Sequence, residues 1–506
     1  MSTPYDDGTN ADLAHDAAWR RLDLRMLLVH PVNELIRFLP LVLGLFVLGS
    51  ANAEDPWHYL GVAVPVALGL LRFATTSFRI TGTQIELRRG LLGRSILTAP
   101  LDRVRTVELT AKPIHRLLRL SRVEIGTGSA ARSDDGRVVL DSLGTDEARR
   151  LRVALLHRRL PADGADPGAV AAAVDAAVGP EVILRFDPAW ARYAPLTTSG
   201  LVVVAAALAA GGPVFGSAVD DVLRSSDLDD RVRAAPLLVA VPVGLVGLLL
   251  VVSVLAISGY LLTNWGFLLT RDQRARTFHI RRGLLTTRET SLDTSRLRGV
   301  EIHEPLGLRL AGAGRLTAIV TGMKKSAEGS TPIVPAAPKA VVTGVGEIVL
   351  AEPGPLDVVL HQHGAAARRR RYVRALVPTG LVPGVLGILA ATAGWPVWLA
   401  VVALALPAAG LLLARDRYAR LGHALTPEYV VIRWGSLRGR RDALQRTGII
   451  GWNVRQTFFQ RRAGLVSLTA TTAAGQQSYE ILDVPEAIGV GFADEAVPGL
   501  VSQFLR

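Results

Sequence analysis

Arginines beside a glycine are the residues of this chain whose types and spacing could do chemistry. The pentapeptide RRGLL stands at 88–92 and again 193 residues later at 281–285, and a degenerate copy, RWGSL, stands at 433–437. Guanidinium groups bind phosphates and carboxylates through parallel hydrogen bonds. The pattern is typical of solvated strand ends, and contacts with anionic lipid headgroups or phosphates are the open alternative. The candidate contact residues are Arg88, Arg89, Arg281, Arg282, Arg438, Arg440 and Arg441.

The sequence has no recognisable catalytic arrangement. It contains no cysteine, which excludes disulfides, thiolate nucleophiles and cysteine metal sites. It also lacks a P-loop, a GxSxG motif and an HExxH motif. The HQH sequence at 361–363 has neither a third histidine nor a carboxylate at ligand spacing, so it is predicted to be a solvated pair in a loop. We predict no enzymatic activity, no cofactor and no bound metal.

Length and charge narrow the organisation and the partner. A chain of 506 residues exceeds one ordinary core, so several folding units are expected. The formal net charge of +13 favours an anionic partner, either a membrane surface or a nucleic acid. Aromatic residues do not interleave with the arginines, as binding of single-stranded nucleic acid would require. The sequence therefore predicts a lipid bilayer, and no nucleic acid, as a partner.

Six long apolar segments come in three pairs, each separated by a short polar break. The pairs predict transmembrane helical hairpins at 34–74, 195–262 and 376–414, or six membrane-spanning helices in all. Arginines crowd the open ends of these hairpins, which by the positive-inside rule places both termini and all soluble parts in the cytoplasm. The expectation is a multi-pass protein of the cell membrane. The segments carry no Asp or Glu at mid-membrane depth, which disfavours a proton-coupled carrier.

A segment of alternating apolar residues follows each hairpin. In FRITGTQIELRRG, at 78–90, the alternation is typical of two β-strands that end at a glycine turn. A glycine at such a turn can adopt positive φ at little cost. We therefore predict left-handed turn positions for Gly90, Gly283 and Gly435.

Further matches extend the repeat beyond the glycines. RVRTVEL at 103–109 corresponds to RLRGVEI at 296–302 with the same spacing of 193 residues. In the third copy, LQRTGII at 444–450 is aligned with them after a two-residue deletion. Each copy closes with a predicted amphipathic helix, which in the first copy starts near Thr145. The sequence therefore predicts three repeats of one β module.

These patterns give the predicted domain boundaries. An N-terminal cytoplasmic segment precedes the first hairpin, and linkers separate each of the first two modules from the following hairpin. The predicted boundaries are 1–33 for the N-terminal segment, 34–74 for hairpin 1, 75–160 for module 1, 161–194 for a linker, 195–262 for hairpin 2, 263–352 for module 2, 353–375 for a linker, 376–414 for hairpin 3 and 415–506 for module 3.

A membrane hairpin followed by a small β module with a basic strand turn and a terminal helix resembles the bacterial pleckstrin-homology-like (PH-like) domain family of the YdbT type. The stretch TGTQIELRRGLLGRSILTAPLDRVRTVEL at 81–109 carries the resemblance best, the second copy follows it, and the third departs from it in WGSLRGRRDALQRTGIIGW at 434–452. The resemblance implies three PH-like β-sandwiches or barrels, each closed by a C-terminal helix. It supplies no active-site residues.

Two functions fit these expectations. The first is a non-enzymatic, membrane-anchored scaffold that presents three PH-like modules to cytoplasmic proteins, with cell-envelope stress or antimicrobial resistance as the context and a shorter homologue with one module as a candidate partner. The second is a sensor of anionic lipid headgroups that uses the basic strand turns. Binding of a module to liposomes would discriminate between them.

Overall fold

Short antiparallel meanders of three strands are the recurring element of the computed structural model. Each meander forms where apolar residues alternate and one face of the strands is buried. The structure describes residues 19–21, 23, 25, 76–81, 84–89, 95–100, 106–126, 137–157, 180–197, 237–274, 276–321 and 331–500.

Twenty strands occur in the described residues, most of them four to nine residues long. They are β1 (Arg20–Arg21), β2 (Ser77–Ile80), β3 (Gln84–Arg89), β4 (Ser95–Pro100), β5 (Thr106–Ala111), β6 (Leu120–Gly126), β7 (Arg137–Gly144), β8 (Glu181–Arg185), β9 (Leu268–Asp272), β10 (Thr277–Arg282), β11 (Thr287–Asp293), β12 (Leu297–Pro305), β13 (Ala313–Val320), β14 (Thr331–Pro338), β15 (Gly422–Leu425), β16 (Tyr429–Trp434), β17 (Arg438–Gln445), β18 (Ile449–Arg455), β19 (Leu465–Thr472) and β20 (Ser478–Pro485).

Helices connect the meanders, close the modules or carry the apolar runs. The α-helices in the described residues are α1 (Pro113–Leu117), α2 (Thr145–His157), α3 (Leu237–Asn264), α4 (Leu306–Leu310), α5 (Lys339–Leu350), α6 (Gly364–Ala393), α7 (Val397–Ala403), α8 (Ala405–Ala419), α9 (Phe458–Arg462) and α10 (Glu486–Ala496). The 3₁₀ helices are Pro188–Leu196, Thr294–Arg296 and Arg446–Gly448.

Each module consists of two meanders with a short helix inside the second one and a longer helix after it. In module 1 the meanders are β2-β3-β4 and β5-β6-β7, with α1 and α2 as the helices. Module 2 has β9-β10-β11 and β12-β13-β14 with α4 and α5, and module 3 has β15-β16-β17 and β18-β19-β20 with α9 and α10. The three predicted repeats therefore share one order of elements.

The spacing of equivalent elements is constant over long stretches. Helix α4 follows α1 by 193 residues, and α9 follows α4 by 152. The 3₁₀ turns Thr294–Arg296 and Arg446–Gly448 also stand 152 residues apart. The two-residue deletion predicted for the third copy is therefore wrong. The segment 444–450 spans the end of β17, a 3₁₀ turn and the start of β18, and so its first residues are not equivalent to those of 296–302.

Strands of neighbouring modules pair with each other. A seven-stranded sheet has the order β7-β6-β5-β11-β10-β9-β8, so the second meander of module 1 continues into the first meander of module 2. A six-stranded sheet has the order β14-β13-β12-β17-β16-β15, which joins modules 2 and 3 in the same way. The remaining sheets are β1-β2-β3-β4 and β18-β19-β20.

The chain divides into two compact units, and the division falls inside module 2. Unit 1 contains Met1–Phe186, Thr263–Arg296 and Gly322–Lys324, and unit 2 contains Asp187–Leu262, Leu297–Thr321 and Lys325–Arg506. Unit 1 thus holds module 1 with the first meander of module 2. Unit 2 holds the second meander of module 2 with module 3.

In modules 1 and 3, the two meanders form two layers around one core. In module 1, Ile85 and Leu87 of the first meander pack with Val107 and Ile125 of the second, and Leu151 of α2 closes the cluster. Burial of apolar side chains on both inner faces stabilises this arrangement. The corresponding core residues of module 3 include Val430, Ile432, Leu468, Ile481 and Phe492.

The prediction of six membrane-spanning helices in three hairpins is wrong. Among the described residues, two helices are long and apolar enough to cross a membrane: Gly364–Ala393 and Val397–Ala419, which combines α7 and α8. A third apolar stretch, Leu249–Asn264 within α3, is shorter. At the predicted start of the second hairpin, Pro188–Leu196 forms a 3₁₀ helix that ends there, so no membrane-spanning α-helix begins at that point. The first predicted hairpin and residues 198–236 lie outside the described residues.

Glycines form the turns after β10 and β16. Gly283 has a φ of 108° and Gly435 a φ of 91°, both in the region that favours glycine. A Cβ on Gly283 would collide with the backbone carbonyl of Thr286, and one on Gly435 with that of Arg438. Gly90 lies outside the described residues.

Replacing Gly283 with valine is therefore expected to destabilise the protein by more than about 1 kcal/mol, because a β-branched residue resists positive φ. The measurement is denaturant unfolding of the full chain in detergent. Leu285→Val is the matched control in the same turn, since Leu285 is exposed and has no positive φ, and it should stay within about 0.5 kcal/mol of the original chain. Equal midpoints for the two variants would contradict the expectation.

Candidate functional site

A buried cluster of charges lies where β12 of module 2 pairs with β17 of module 3. Glu301 is 0% exposed and Asp442 1% exposed. Arg440 reaches both carboxylates, with its Nη2 atom 2.7 Å from Oε1 of Glu301 and its Nε atom hydrogen bonded to Asp442. The hydroxyl of Tyr479 donates a second hydrogen bond to Oε1 of Glu301, at 2.8 Å. One guanidinium thus joins two carboxylates across the junction between modules.

Burial and neighbouring charges shift the pKa values of the two carboxylates in opposite directions. Burial raises the pKa of Asp442 to about 6, although the positive charge of Arg440 opposes the shift. Burial also disfavours the ionised form of Glu301, but the contacts with His303 and Arg440 outweigh it, and the pKa of Glu301 is lowered. Arg440, Glu301 and Asp442 therefore form a structural charge cluster, in which the guanidinium offsets the cost of burying the carboxylates.

The junction in unit 1 has the same ion pair at equivalent positions. Arg288 of β11 lies 2.8 Å from Glu108 of β5. The spacing of 193 relates Glu108 to Glu301, and the spacing of 152 relates Arg288 to Arg440. Sequence reasoning matched the strands that carry the two glutamates but did not identify the arginines as their partners. The glutamate retained in both VEL and VEI was the available signal.

Ion pairs attach the N-terminal part of α6, the first helix of the apolar hairpin, to module 3. Arg370 and Arg371 of α6 lie 3.0 and 2.8 Å from the carboxylate of Asp483, which is 2% exposed. Gln460 also donates to that carboxylate, at 2.8 Å. The arginine run at 368–371, which lies at an open end of the predicted third hairpin, therefore fixes the hairpin to the sheet of module 3.

The histidines of HQH have different environments. His361 is exposed, but His363 is buried, so the prediction of a solvated pair is wrong for His363. Its Nδ1–H donates to the carbonyl of Leu482 at 2.7 Å, and its Nε2 therefore accepts from Nδ1 of His423 at 2.8 Å. Burial lowers the pKa of His423 to about 3, so it is neutral at pH 7. The part of the chain that the structure describes has no cluster of three or more His, Asp or Glu arranged to hold a metal ion.

A basic cleft lies in unit 1, beside the junction between β5 and β11. Its volume is about 440 Å³. Its polar lining includes Asp146 and Glu289, and Glu289 lies 3.6 Å from Nε of Arg281. An anion with several oxygens fits this chemistry, because four arginines from three segments of the chain line the same space. The arginines that line the cleft are Arg116, Arg119, Arg149 and Arg281.

The candidate arginines of modules 1 and 2 are separated within unit 1. Arg281 lines the basic cleft. Arg88 lies over the indole ring of Trp19, with 5.2 Å to the ring centroid. Arg89 ends β3, and Arg282 ends β10. Sequence reasoning missed the other arginines of the cleft because they come from α2 and from the segment around α1, far from the glycine turns.

The candidate arginines of module 3 have three different environments within unit 2. Arg438 is exposed at the start of β17. Arg440 is buried in the charge cluster, which removes it from the exposed basic surface. Arg441 donates to the carbonyl of Val358 at 2.8 Å, and burial lowers its pKa to about 10. The structure therefore does not gather these residues into one site.

These features define a protein of repeated small β modules that carries a hairpin of membrane-spanning length. A family model described as the bacterial PH domain matches the chain at residues 35–159 and 380–490. The chain is therefore similar to the bacterial PH domain in these two regions, which include most of modules 1 and 3. This match confirms the resemblance to bacterial PH domains, whereas the YdbT type stays a prediction. PH-like domains typically bind lipids or proteins and are not catalysts. None of the curated proteins and none of the solved structures matches the chain.

Replacing Arg440 with alanine is expected to destabilise the protein by about 3–5 kcal/mol, because two buried carboxylates lose their shared guanidinium. The free energy of unfolding of the full chain, followed by tryptophan fluorescence, measures the effect. Arg438→Ala is the matched control, since it removes an exposed arginine from the same strand and should cost less than about 0.5 kcal/mol. Similar losses for both variants would show that the cluster does not hold the junction.

Proposed function

We propose that this protein is a non-enzymatic, membrane-anchored scaffold that presents linked PH-like modules to protein partners in the cytoplasm. The observation that carries the proposal is the sharing of sheets between modules. The seven-stranded and six-stranded sheets each combine meanders from two modules through continuous antiparallel pairing. Within each unit, a shared sheet joins meanders of two successive modules into one extended binding surface.

Within each unit, the shared sheet fixes the relative position of two meanders, which a flexible linker would leave free to move. Within each unit, relative motion of the paired meanders would break a ladder of backbone hydrogen bonds and leave polar groups unpaired. At the junction in unit 2 it would also expose the charges of Glu301, Arg440 and Asp442. A sensor that reads one ligand per module does not require this coupling, whereas a platform for protein partners benefits from fixed spacing.

The hairpin formed by α6, α7 and α8 supplies the membrane anchor of the proposed scaffold. Arginines flank both of its open ends, at 368–371 and at 415 and 417, and its tight turn at 394–396 contains no charged residue. The positive-inside rule favours a cytoplasmic location for the modules with this charge distribution. The ion pairs from Arg370 and Arg371 to Asp483 support placement of module 3 at the membrane surface.

The scaffold predicts protein partners in the native membrane, including a shorter homologue with one module as the first candidate. We expect the affinity-tagged full chain, cross-linked in native membranes and then purified, to carry stoichiometric partner proteins linked to its β modules. Peptide mapping by mass spectrometry locates the links. Arg438→Ala should keep the same partners, because this exposed change leaves the junction intact. Recovery of lipid without any stoichiometric protein would contradict the scaffold.

A second function, recognition of an anionic lipid headgroup, is favoured by the basic cleft of unit 1. Four arginines line one cavity, and the two acidic residues in its lining do not balance them. An arginine near an anionic leaflet contributes on the order of 1 kcal/mol to binding. Phosphatidylglycerol is a suitable probe, since its headgroup carries one phosphate and small hydroxyl groups.

We expect the detergent-solubilised full chain to retain added phosphatidylglycerol over phosphatidylcholine in native mass spectrometry. Changing Arg116, Arg119 and Arg149 to glutamine should reduce this retention, and added salt should reduce it further in the original chain. The charge-matched control changes Arg455, Arg461 and Arg462, all exposed in module 3, to glutamine and should retain the lipid. Equal retention by both triple variants would remove the cleft as a headgroup site.

A further inference from the structure

The two internal junctions follow one rule of strand pairing. The first strand of a module's second meander pairs antiparallel with the last strand of the next module's first meander. This rule gives β5 paired with β11 and β12 paired with β17. Every module takes part in at least one such pairing. At the two ends of the series, however, one strand of each kind has no partner of the other kind: the last strand of module 1's first meander and the first strand of module 3's second meander.

The two strands left over are β4 and β18. Strand β4 is the last strand of module 1's first meander and lies at the end of the sheet β1-β2-β3-β4. Strand β18 is the first strand of module 3's second meander and lies at the end of the sheet β18-β19-β20. Neither has a partner on its outer side among the residues that the structure describes. An open edge of this kind presents a row of unpaired backbone groups.

The internal junctions also fix a register for the free edges. Leu109 lies opposite Glu289 in the first junction, and Ile302 lies opposite Arg441 in the second. The repeat spacings of 193 and 152 convert each residue of these pairs into the equivalent residue of β18 or β4. Both pairs give the same result, Val454 of β18 opposite Ile96 of β4. Two independent junctions therefore give one identical register for β18 and β4.

Apolar side chains at this register are buried inside the chain and exposed at its ends. Leu109 is 6% exposed and Ile302 2% exposed, in strands that are paired on both sides. Val454, at the equivalent position, is 47% exposed, and Ile96 is 54% exposed. Pairing β18 with β4 would cover both side chains, and the burial of apolar area favours that contact.

The polar positions of the junctions differ in a way that suits a free edge. Glu108 and Glu301 are replaced by Asn453, and Arg288 and Arg440 are replaced by Ser95. An asparagine and a serine can hydrogen bond across the strands, yet neither is a charge that must be paired. The two edges can therefore stay unpaired in water without leaving a charge unpaired. An unpaired buried charge would destabilise the protein.

We propose that β18 of one chain pairs antiparallel with β4 of a second copy of this chain, with Val454 opposite Ile96. The contact joins two different surfaces, so it is head to tail, and it builds closed rings or open rows of the protein in the membrane. This proposal goes beyond the scaffold function and does not depend on it, since the same pairing would join copies of a lipid-binding protein.

Cysteine cross-linking tests the register directly, because the natural chain has no cysteine. Opposite residues of an antiparallel pair lie about 4.5–5.5 Å apart between Cα atoms, within the range that a disulfide spans. Full-length chains with Ile96→Cys and chains with Val454→Cys are mixed in detergent or in membranes and mildly oxidised. We expect a disulfide-linked dimer in the mixture and none with either variant alone.

The control mixture contains Ile96→Cys and Asn453→Cys chains, which lie one residue out of register with side chains on opposite faces. It should give no dimer. Dimers from one variant alone, equal linking in the control mixture, or no linking by folded protein would each overturn the proposal. A chain with both Ile96→Cys and Val454→Cys that closes only an internal disulfide would also overturn it.

A measurement without cysteines keeps the proposal testable if oxidation distorts the edge. Light scattering should find the detergent-solubilised natural chain in a concentration-dependent assembly. Val454→Lys places a charge on the edge and should shift that assembly toward single chains. The pair Ser95→Arg and Asn453→Glu restores the ion pair of the internal junctions and should shift it toward larger assemblies. A natural chain that stays monomeric at every concentration would overturn the proposal.

Discussion

The requirement that strand edges be paired governs most of this structure. A meander of three strands has two open edges, and its backbone N–H and C=O groups need partners wherever water is excluded. Modules 1, 2 and 3 meet that need by pairing with one another at β5 with β11 and at β12 with β17. The compositions of the seven-stranded and six-stranded sheets follow from this single constraint, and so does the division of module 2 between two units.

The buried charges at the junctions specify which strands pair. A hydrophobic strand edge alone is permissive, because many apolar side chains can face one another across a sheet. The buried carboxylate of Glu301 selects a neighbouring strand that carries a cationic side chain at one position. In β17 that side chain is Arg440. A strand without that arginine would leave the carboxylate buried and unpaired, at a cost of several kcal/mol. Electrostatics thus adds selectivity to pairing that backbone hydrogen bonds make possible.

Local sequence patterns predicted the elements well and their assembly poorly. The alternation around Arg88 and Arg281 predicted strands β3 and β10, and the spacing of the glycines predicted the repeat. The period of a strand shows which side chains face inward, but it does not show which other strand lies alongside. That information depends on long-range partners such as Glu301 with Tyr479, which lie 178 residues apart.

The site residues show the same boundary between local and long-range information. The charge of Arg440 was visible in the sequence, but its burial depends on a sheet that two modules build together. Asp483 gave no signal, since an isolated aspartate at the end of a strand is ordinary, and only the fold brings Arg370 and Arg371 to it. Apolar composition overestimated the number of membrane-spanning helices for a related reason, because an apolar run does not by itself fix where a helix begins and ends.

The strand sharing also has a consequence for the order in which a ribosome delivers the protein. The first meander of module 2 can dock as soon as it is made, because its partner β5 has already been synthesised. The second meander must wait for β17, which begins at residue 438, and the two helices of the hairpin are produced during that interval. Until then β12 has an open edge with buried-type side chains, which is the kind of nascent surface that chaperones bind. Synthesis of the two hairpin helices and completion of module 2 are therefore successive steps of one biosynthetic sequence.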